Sequence, residues 1–253
     1  MSGYDYDCGM YGPDGRVYQI DYALKASESQ GLGIGLKLKD GVVITVQRQF
    51  HSPLQEVSSS RVFQLTDEIV AVVVGIIADG RVLCQKLLEQ VQGYQMNYDR
   101  QMPLSSVVDA ASSYMQQHTH YSSVRPFGCA LFLTDGRQLF QIQPSGDFLN
   151  CFATAAGKKA PNARVELEKL MGEEQNLGQD RFGHLKKTRN EGGNLKQIDC
   201  ATGLKECAKI MWAVFDENAD QKWYVEGVVV NAEGKVQKLG MDQMQQIVKG
   251  AEE

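Results

Sequence analysis

Residues 31 to 47 decide the fold: Gly31-Leu32-Gly33-Ile34-Gly35-Leu36-Lys37-Leu38-Lys39-Asp40-Gly41-Val42-Val43-Ile44-Thr45-Val46-Gln47. Leu32, Ile34, Leu36 and Leu38 alternate with glycine and lysine, the period-two pattern of a strand with a buried face. Asp40-Gly41 is then expected to be a hairpin turn whose central residues take positive φ, with Val42–Gln47 as the return strand. Gly31, Gly33 and Gly35 mimic a dinucleotide-binding turn, but that motif needs a helix directly after it, where amides cradle the phosphates. Here the alternation runs on into the hairpin, so the glycines mark a strand that other backbone approaches closely.

Upstream, residues 1–15 are rich in Gly, Tyr and Asp and end in the turn Gly12-Pro13-Asp14-Gly15. A short helix should follow, with Val17, Ile20, Ala23 and Leu24 on one face. Downstream, strands are expected at Arg61–Leu65 and Ile69–Gly75, the latter apolar enough to be buried on both faces. Two helices come next, one carrying Leu83, Leu87, Val91 and Tyr94, the other opened by Pro103 and carrying Leu104, Val107, Val108, Ala111 and Met115. Further strands are expected at Gly128–Thr134, Gln138–Ile142 and Phe148–Thr154, then a helix at Lys158–Met171. Leu204, Cys207, Ala208, Met211, Trp212 and Phe215 form a clear amphipathic stripe. A last hairpin, Trp223–Val230 with Lys235–Lys238, and a short helix at Met241–Lys249 complete the order. Residues 172–196 are polar, glycine-rich and aperiodic, and read as a surface excursion between two helices rather than a domain boundary. Strand clusters alternating with helix pairs, joined by hairpin turns, predict one layered α+β domain with mostly antiparallel sheets.

The 253 residues, 43% of them hydrophobic and 23% charged, have the composition of a globular protein with a sizeable core. Twenty-six basic against 31 acidic residues leave a net charge of −5, which argues against nucleic acid as a partner. The first residues lack a basic n-region and an apolar h-region, so no secretory signal is expected. The longest apolar run, Ile69 to Ile77, is too short to cross a bilayer. The six cysteines lie far apart without a CxxC pair, which fits reduced thiols in an intracellular protein, with Cys207 on the apolar stripe as a buried one. His118 and His120 point to different faces of a helix and have no His or Cys pair to complete a metal site. GxSxG, P-loop, HExxH and EF-hand patterns are all missing, and neither a cofactor nor a metal is expected. Residue chemistry alone offers no active site.

Gly12-Pro13-Asp14-Gly15-Arg16-Val17-Tyr18-Gln19-Ile20-Asp21-Tyr22-Ala23 closely resembles the N-terminal signature of 20S proteasome alpha subunits. Further blocks agree in order and spacing: Lys39-Asp40-Gly41-Val42-Val43, Gly75-Ile76-Ile77-Ala78-Asp79-Gly80-Arg81, Val124-Arg125-Pro126-Phe127-Gly128-Cys129, Pro144-Ser145-Gly146 and Gly157-Lys158. The resemblance runs from Tyr4 to about Leu170 and more weakly from Leu204 to Val230. Among eukaryotic alpha types, Gly3-Tyr4-Asp5, the Val124–Cys129 block and Glu166-Leu167-Glu168-Lys169-Leu170 look most like the seventh-position type, alpha type 3, relative to which residues 172–196 are an insertion.

The resemblance implies a four-layer α-β-β-α sandwich of two antiparallel sheets, the N-terminal nucleophile hydrolase fold, with an extra N-terminal helix in residues 15–30. It implies a single alpha-type domain over residues 1–253 whose first fourteen residues lie over an axial pore. Such subunits form heteroheptameric rings that cap rings of catalytic beta subunits in the cytoplasm and nucleus. The rival is a self-processing hydrolase with a freed N-terminal threonine. By that resemblance the threonine's place falls at Gly31, the aspartate's at Gln47 and the lysine's at Arg61, and none is kept. Glycine has no hydroxyl, glutamine no charge, and a guanidinium is too basic to shuttle protons. Ser29 is the nearest hydroxyl. Tyr4, Asp5, Pro13 and Tyr22 match the residues that hold the family's gate open, or else simply anchor the N-terminal turn. Arg61, with Gly15, Gly75 and Ile76, matches the pocket that grips the C-terminal carboxylate of activator tails; the alternative is an exposed arginine without a ligand.

Overall fold

The computed structural model describes residues 7–49, 54, 60–172, 176–179, 185–187, 192–214, 223–240 and 243–247. After the Gly12–Gly15 turn, helix α1 covers Tyr18–Glu28. The hairpin follows as β1, Gly33–Lys37, and β2, Gly41–Gln49, then β3, Val62–Gln64, and β4, Val70–Gly75. Helices α2, Ile77–Tyr98, and α3, Leu104–Gln117, precede β5, Cys129–Thr134, β6, Leu139–Ile142, β7, Phe148–Asn150, and β8, Ala153–Ala156. Helix α4, Ala160–Met171, strands β9, Asn176–Gln179, and β10, Leu185–Lys187, helix α5, Cys200–Val214, and strands β11, Trp223–Asn231, and β12, Val236–Leu239, complete the chain, with a helical turn at 243–247.

The strands form two five-stranded antiparallel sheets, one in the order β12-β11-β2-β1-β8, the other β3-β4-β5-β6-β7. Three apolar layers follow from strand alternation. Val42, Ile44 and Val46 of β2 meet Val70, Val72 and Val74 of β4, Phe132 and Leu139 between the sheets. Val73, Leu131 and Leu133 face α2 and α3 through Leu83, Leu87, Val107 and Met115. Ile34, Leu36 and Val225 face α4 and α5 through Leu167, Leu204, Cys207 and Met211. Covered on both faces, β4 is apolar at every position, as a strand in the middle of four layers must be. The α-β-β-α sandwich is therefore the observed architecture, with α1 packed across β4 and β5.

Several local expectations change. Neither Asp40 nor Gly41 takes positive φ. Leu38 N–H bonds to the Gly41 carbonyl at 2.8 Å, and Gly41 is needed for space, because a Cβ there would lie 2.4 Å from the Val230 carbonyl oxygen. Asp40 instead accepts the Cys200 amide at 2.9 Å and so caps α5. The expected strand Phe148–Thr154 is two strands: β7 is the exposed edge of one sheet, and the chain crosses at residues 151–152 so that β8 joins the other. Residues 172–196 contain the β9–β10 hairpin, and Leu195 is fully buried against α4 and α5, so the excursion is pinned at its end. Trp212 leaves the buried stripe and stacks on Trp223 at 5.8 Å. Phe215 and both ends of the expected final helix lie outside the described residues, while 243–247 are helical.

Gly33 on the inner face of β1 is what lets the sheets approach. A Cβ there would lie 2.3 Å from Val74 Cγ2. Gly33→Ala overpacks this layer and should cost about 1–3 kcal/mol. Gly93, inside α2 with nothing within 4 Å of an added Cβ, should gain about 0.5–1 kcal/mol as alanine. Urea unfolding of the two variants checks both signs.

Candidate functional site

At the start of β1 three backbone segments converge. Gln47 N–H bonds to the Leu32 carbonyl at 2.7 Å, and the Gln47 side-chain Oε1 accepts the Leu32 amide at 3.3 Å. A Cβ on Gly31 would sit 2.2 Å from the Gln47 carbonyl oxygen. From the other side, Gly157, at φ +90°, approaches so closely that a Cβ on it would lie 2.3 Å from the Gly31 carbonyl oxygen. Beside it, Lys158 N–H bonds to the Gln30 carbonyl at 2.8 Å. Gly31 is buried and the chain passes through it continuously from α1 into β1. The structure thus brings Gly31 and Gln47 together. Ser29 Oγ is exposed and donates to the Ala26 carbonyl at 2.7 Å.

Arg61 is buried, 8% exposed, unlike the exposed arginine weighed from sequence. Its Nη1 donates to the Gly75 carbonyl at 2.8 Å and the Val73 carbonyl at 3.3 Å, while Nε is buried without a partner among the described residues. Its amide donates to Glu226 Oε2 at 2.8 Å, and Glu226 Oε1 takes Arg48 Nη1 at 2.8 Å. Glu226 lies on β11 and Arg61 precedes β3, so this carboxylate ties the two sheets. Burial first, then the charge of Arg48, pull the Arg61 guanidinium below its ordinary value, against the opposing pull of Glu226. Arginine remains protonated nonetheless.

Of its three expected pocket partners, Arg61 is thereby bonded to Gly75. Gly75, at φ +115°, bends the end of β4, and Ile76 N–H bonds to the Gly128 carbonyl at 2.9 Å before α2 begins. Gly15, at φ +77°, closes the N-terminal turn, where its amide bonds to Gly12 at 2.9 Å and an added Cβ would meet open space. Tyr18 Oη donates to Asp14 Oδ1 at 3.1 Å across that turn. Pro13 is exposed in it, and Tyr22 is half-exposed on α1. Tyr4 and Asp5 lie outside the described residues.

Sequence reasoning missed the joint behind the N-terminal segment. Asp79, in the first turn of α2, receives Arg125 Nη1 at 2.6 Å and Nη2 at 2.7 Å, and also the Gly128 amide at 2.9 Å. Next to Arg125, the Val124 carbonyl accepts the buried thiol of Cys8 at 3.8 Å. One carboxylate therefore fixes the start of α2, the start of β5 and the loop on which residues 8–9 rest. The available signal was an aspartate inside an otherwise apolar helix turn. Burial would raise the Asp79 pKa, but the Arg125 hydrogen bonds, the Gly128 amide and the Arg125 charge outweigh it and hold it below the ordinary value. Burial pushes the thiols of Cys84, Cys129, Cys200 and Cys207 up to about 12, so they are inert hydrophobes. His118 Nδ1 meets the Tyr114 carbonyl at 2.9 Å, His120 pairs with Gln116, and no metal-binding cluster occurs among the described residues.

Two face-to-face antiparallel sheets between helix pairs define the N-terminal nucleophile hydrolase class of sandwich, here with a helix in front of the first strand. Residues 31–185 match the family described as "Proteasome subunit", and residues 4–26 match the N-terminal signature of its alpha-type members. An alpha type-3 proteasome subunit of Dictyostelium discoideum is 32% identical over 89% of this chain and 84% of its own length. One of Drosophila melanogaster is 37% identical over 67% and 69%, and an alpha-type proteasome subunit of Methanococcus maripaludis is 32% identical over 98% and 88%. The chain belongs to the proteasome subunit family, in its alpha class, and is a non-catalytic structural subunit of the outer ring of the 20S proteasome.

Asp79→Asn keeps the shape but weakens the joint, at an expected cost of about 1–3 kcal/mol at neutral pH. A depressed carboxylate pKa contributes stability that is present above the unfolded value of 3.8 and lost as pH falls through the folded pKa. The gap in urea midpoint between wild type and variant should therefore be constant at neutral pH and close below pH 3.8.

Proposed function

We propose that this chain takes the seventh position of a heteroheptameric alpha ring in the cytoplasm and nucleus, contributes its first fourteen residues to the axial gate, and offers a pocket to activator tails. The carrying observation is the closed backbone at Gly31, where a Cβ would meet the Gln47 carbonyl oxygen at 2.2 Å. A threonine cannot be placed there without moving β2, which supports reading Gly31, Gln47 and Arg61 as replacements of the catalytic threonine, aspartate and lysine. Similarity to type-3 relatives supports the ring position.

The gate reading assigns Tyr4, Asp5, Pro13 and Tyr22 to one cluster around the N-terminal turn. It is supported by the signature over residues 4–26 and by the anchoring of residues 8–9 on the Val124 loop. Proline fixes the turn, and tyrosines pack while bonding through their hydroxyls. The pocket reading assigns Arg61, Gly75, Ile76 and Gly15 to the carboxylate of a partner's C-terminal tail. It is supported by the positive charge of Arg61 held against Gly75, with Nε left over as a donor. Neighbouring alpha chains, beta-ring chains and a regulatory particle are the partners. The reading of residues 172–196 as an insertion relative to type-3 chains goes with the ring position.

Affinity purification of the tagged full chain, then native sizing and intact mass, tests the reading. It should migrate in a very large particle with other alpha chains and threonine-led beta chains, uncut before Gly31. A small species trimmed near Ser29 and bearing peptidase activity would overturn it in favour of the self-processing hydrolase. Gly31→Thr should confer no peptidase activity on the purified particle beyond that of its beta chains, measured with those chains inhibited.

A further inference from the structure

Between α1, the ends of β5, β6 and β8, and the first turn of α4 lies a cavity of about 180 Å³. It shares no lining residue with the gate cluster or the Arg61 pocket, and it touches the Gly31 junction only through Gly157. By liquid volume it has room for about six waters, or for one molecule the size of a small amino acid. Five polar residues line it: Ser27, whose hydroxyl already donates to the Leu24 carbonyl at 2.7 Å, Gln143, and the three on which its charge and fixed donors rest, Glu28, Gln141 and Arg164. Gln141 of β6 is 4% exposed and reaches across the sheets, where its carboxamide oxygen accepts the hydroxyl of Thr154. That bond fixes the side chain and leaves the carboxamide nitrogen, without a partner among the described residues, as a donor on the cavity wall. Arg164 of α4 lines the same space. Its Nε and Nη2 bond to the Ala155 carbonyl at 3.2 and 2.9 Å, which orients the guanidinium and leaves Nη1 for another acceptor. Glu28, at the end of α1, lines the cavity too and makes no ion pair with Arg164 or any other described residue.

We propose that this cavity binds a small zwitterion of amino-acid size. Its carboxylate lies between Arg164 and the Gln141 carboxamide, and its ammonium faces Glu28. A simple anion would be repelled by Glu28, a simple cation by Arg164, and an apolar molecule would leave the Gln141 nitrogen buried and unpaired. A ligand with both charges meets Arg164, Gln141 and Glu28 together, and a guanidinium beside a carboxamide offers a carboxylate a planar set of donors.

Saturation-transfer NMR on the full chain, purified in its ring, tests this with L-alanine, N-acetyl-L-alanine and L-alaninamide. L-alanine should bind, and Arg164→Met and Glu28→Gln should each weaken it by about tenfold or more. The blocked probes should bind more weakly, the N-acetyl form indifferent to Glu28→Gln and the amide form indifferent to Arg164→Met. Glu28→Gln falls on an exposed side chain, Arg164→Met also removes two bonds to the Ala155 carbonyl, so native sizing checks that each variant assembles, and Gln141→Met adds a third arm where it folds. No transfer to L-alanine, or transfer that neither Arg164→Met nor Glu28→Gln changes, overturns the proposal. Ring assembly is read separately by native sizing, so failure here leaves the ring-subunit reading untouched.

Discussion

The backbone junction of residues 30–33, 47 and 157 is the constraint from which the other features follow. Gly31, Gly33 and Gly157 crowd against the Gln47 carbonyl and Val74 so closely that no side chain fits at any of them without displacement. Because the chain runs through this junction rather than beginning at it, α1 is attached covalently to the end of the first strand. Its axis is then held across β4 and β5 by Lys158 bonding to the Gln30 carbonyl. The same glycines let the two sheets close over one aliphatic layer.

Two polar ties cross that layer, at different strands. Glu226 links β11 to the Arg61 amide and to Arg48, and Gln141 links β6 to Thr154 of β8. A half-buried carboxylate between a guanidinium and a backbone amide is a weak source of net stability, because desolvation offsets attraction. Its value is geometric: with every acceptor used, it fixes which residues face each other across the sheets, as a satisfied polar network does. Arg48 over the Tyr224 ring at 5.2 Å adds to the same cluster.

Much of this is legible in the sequence because it follows from periodicity. The faces Leu104-Val107-Val108-Ala111-Met115 and Leu83-Leu87-Val91 are buried as their spacing requires. The apolar run in β4 announces a strand covered on both sides. Gly31 and Gly33 are points of close approach, as glycines inside an alternating strand imply. What is illegible depends on partners distant in the chain. Asp40-Gly41 has the composition of a positive-φ turn, but its glycine answers to Val230 and its aspartate to Cys200, each far away in sequence. The break between β7 and β8 carries no turn residue, since the chain only steps between sheets there. The Asp79–Arg125 pair spans 46 residues, and no local pattern encodes it.

Arg61 shows how one buried side chain orders a series of distant contacts. One nitrogen of its guanidinium, Nη1, donates to both the Val73 and the Gly75 carbonyls at the end of β4. That end must be held, because Gly75 turns at φ +115° to launch α2, and α2 carries Asp79 in its first turn. Asp79 in turn fixes Arg125 and, through the adjacent Val124 carbonyl, the resting place of Cys8. Arg61 at the end of β4 and the N-terminal segment thus lie at the two ends of this series. The two are joined by a short series of hydrogen bonds and one rigid helix turn, the kind of contiguous network along which coupling between sites travels.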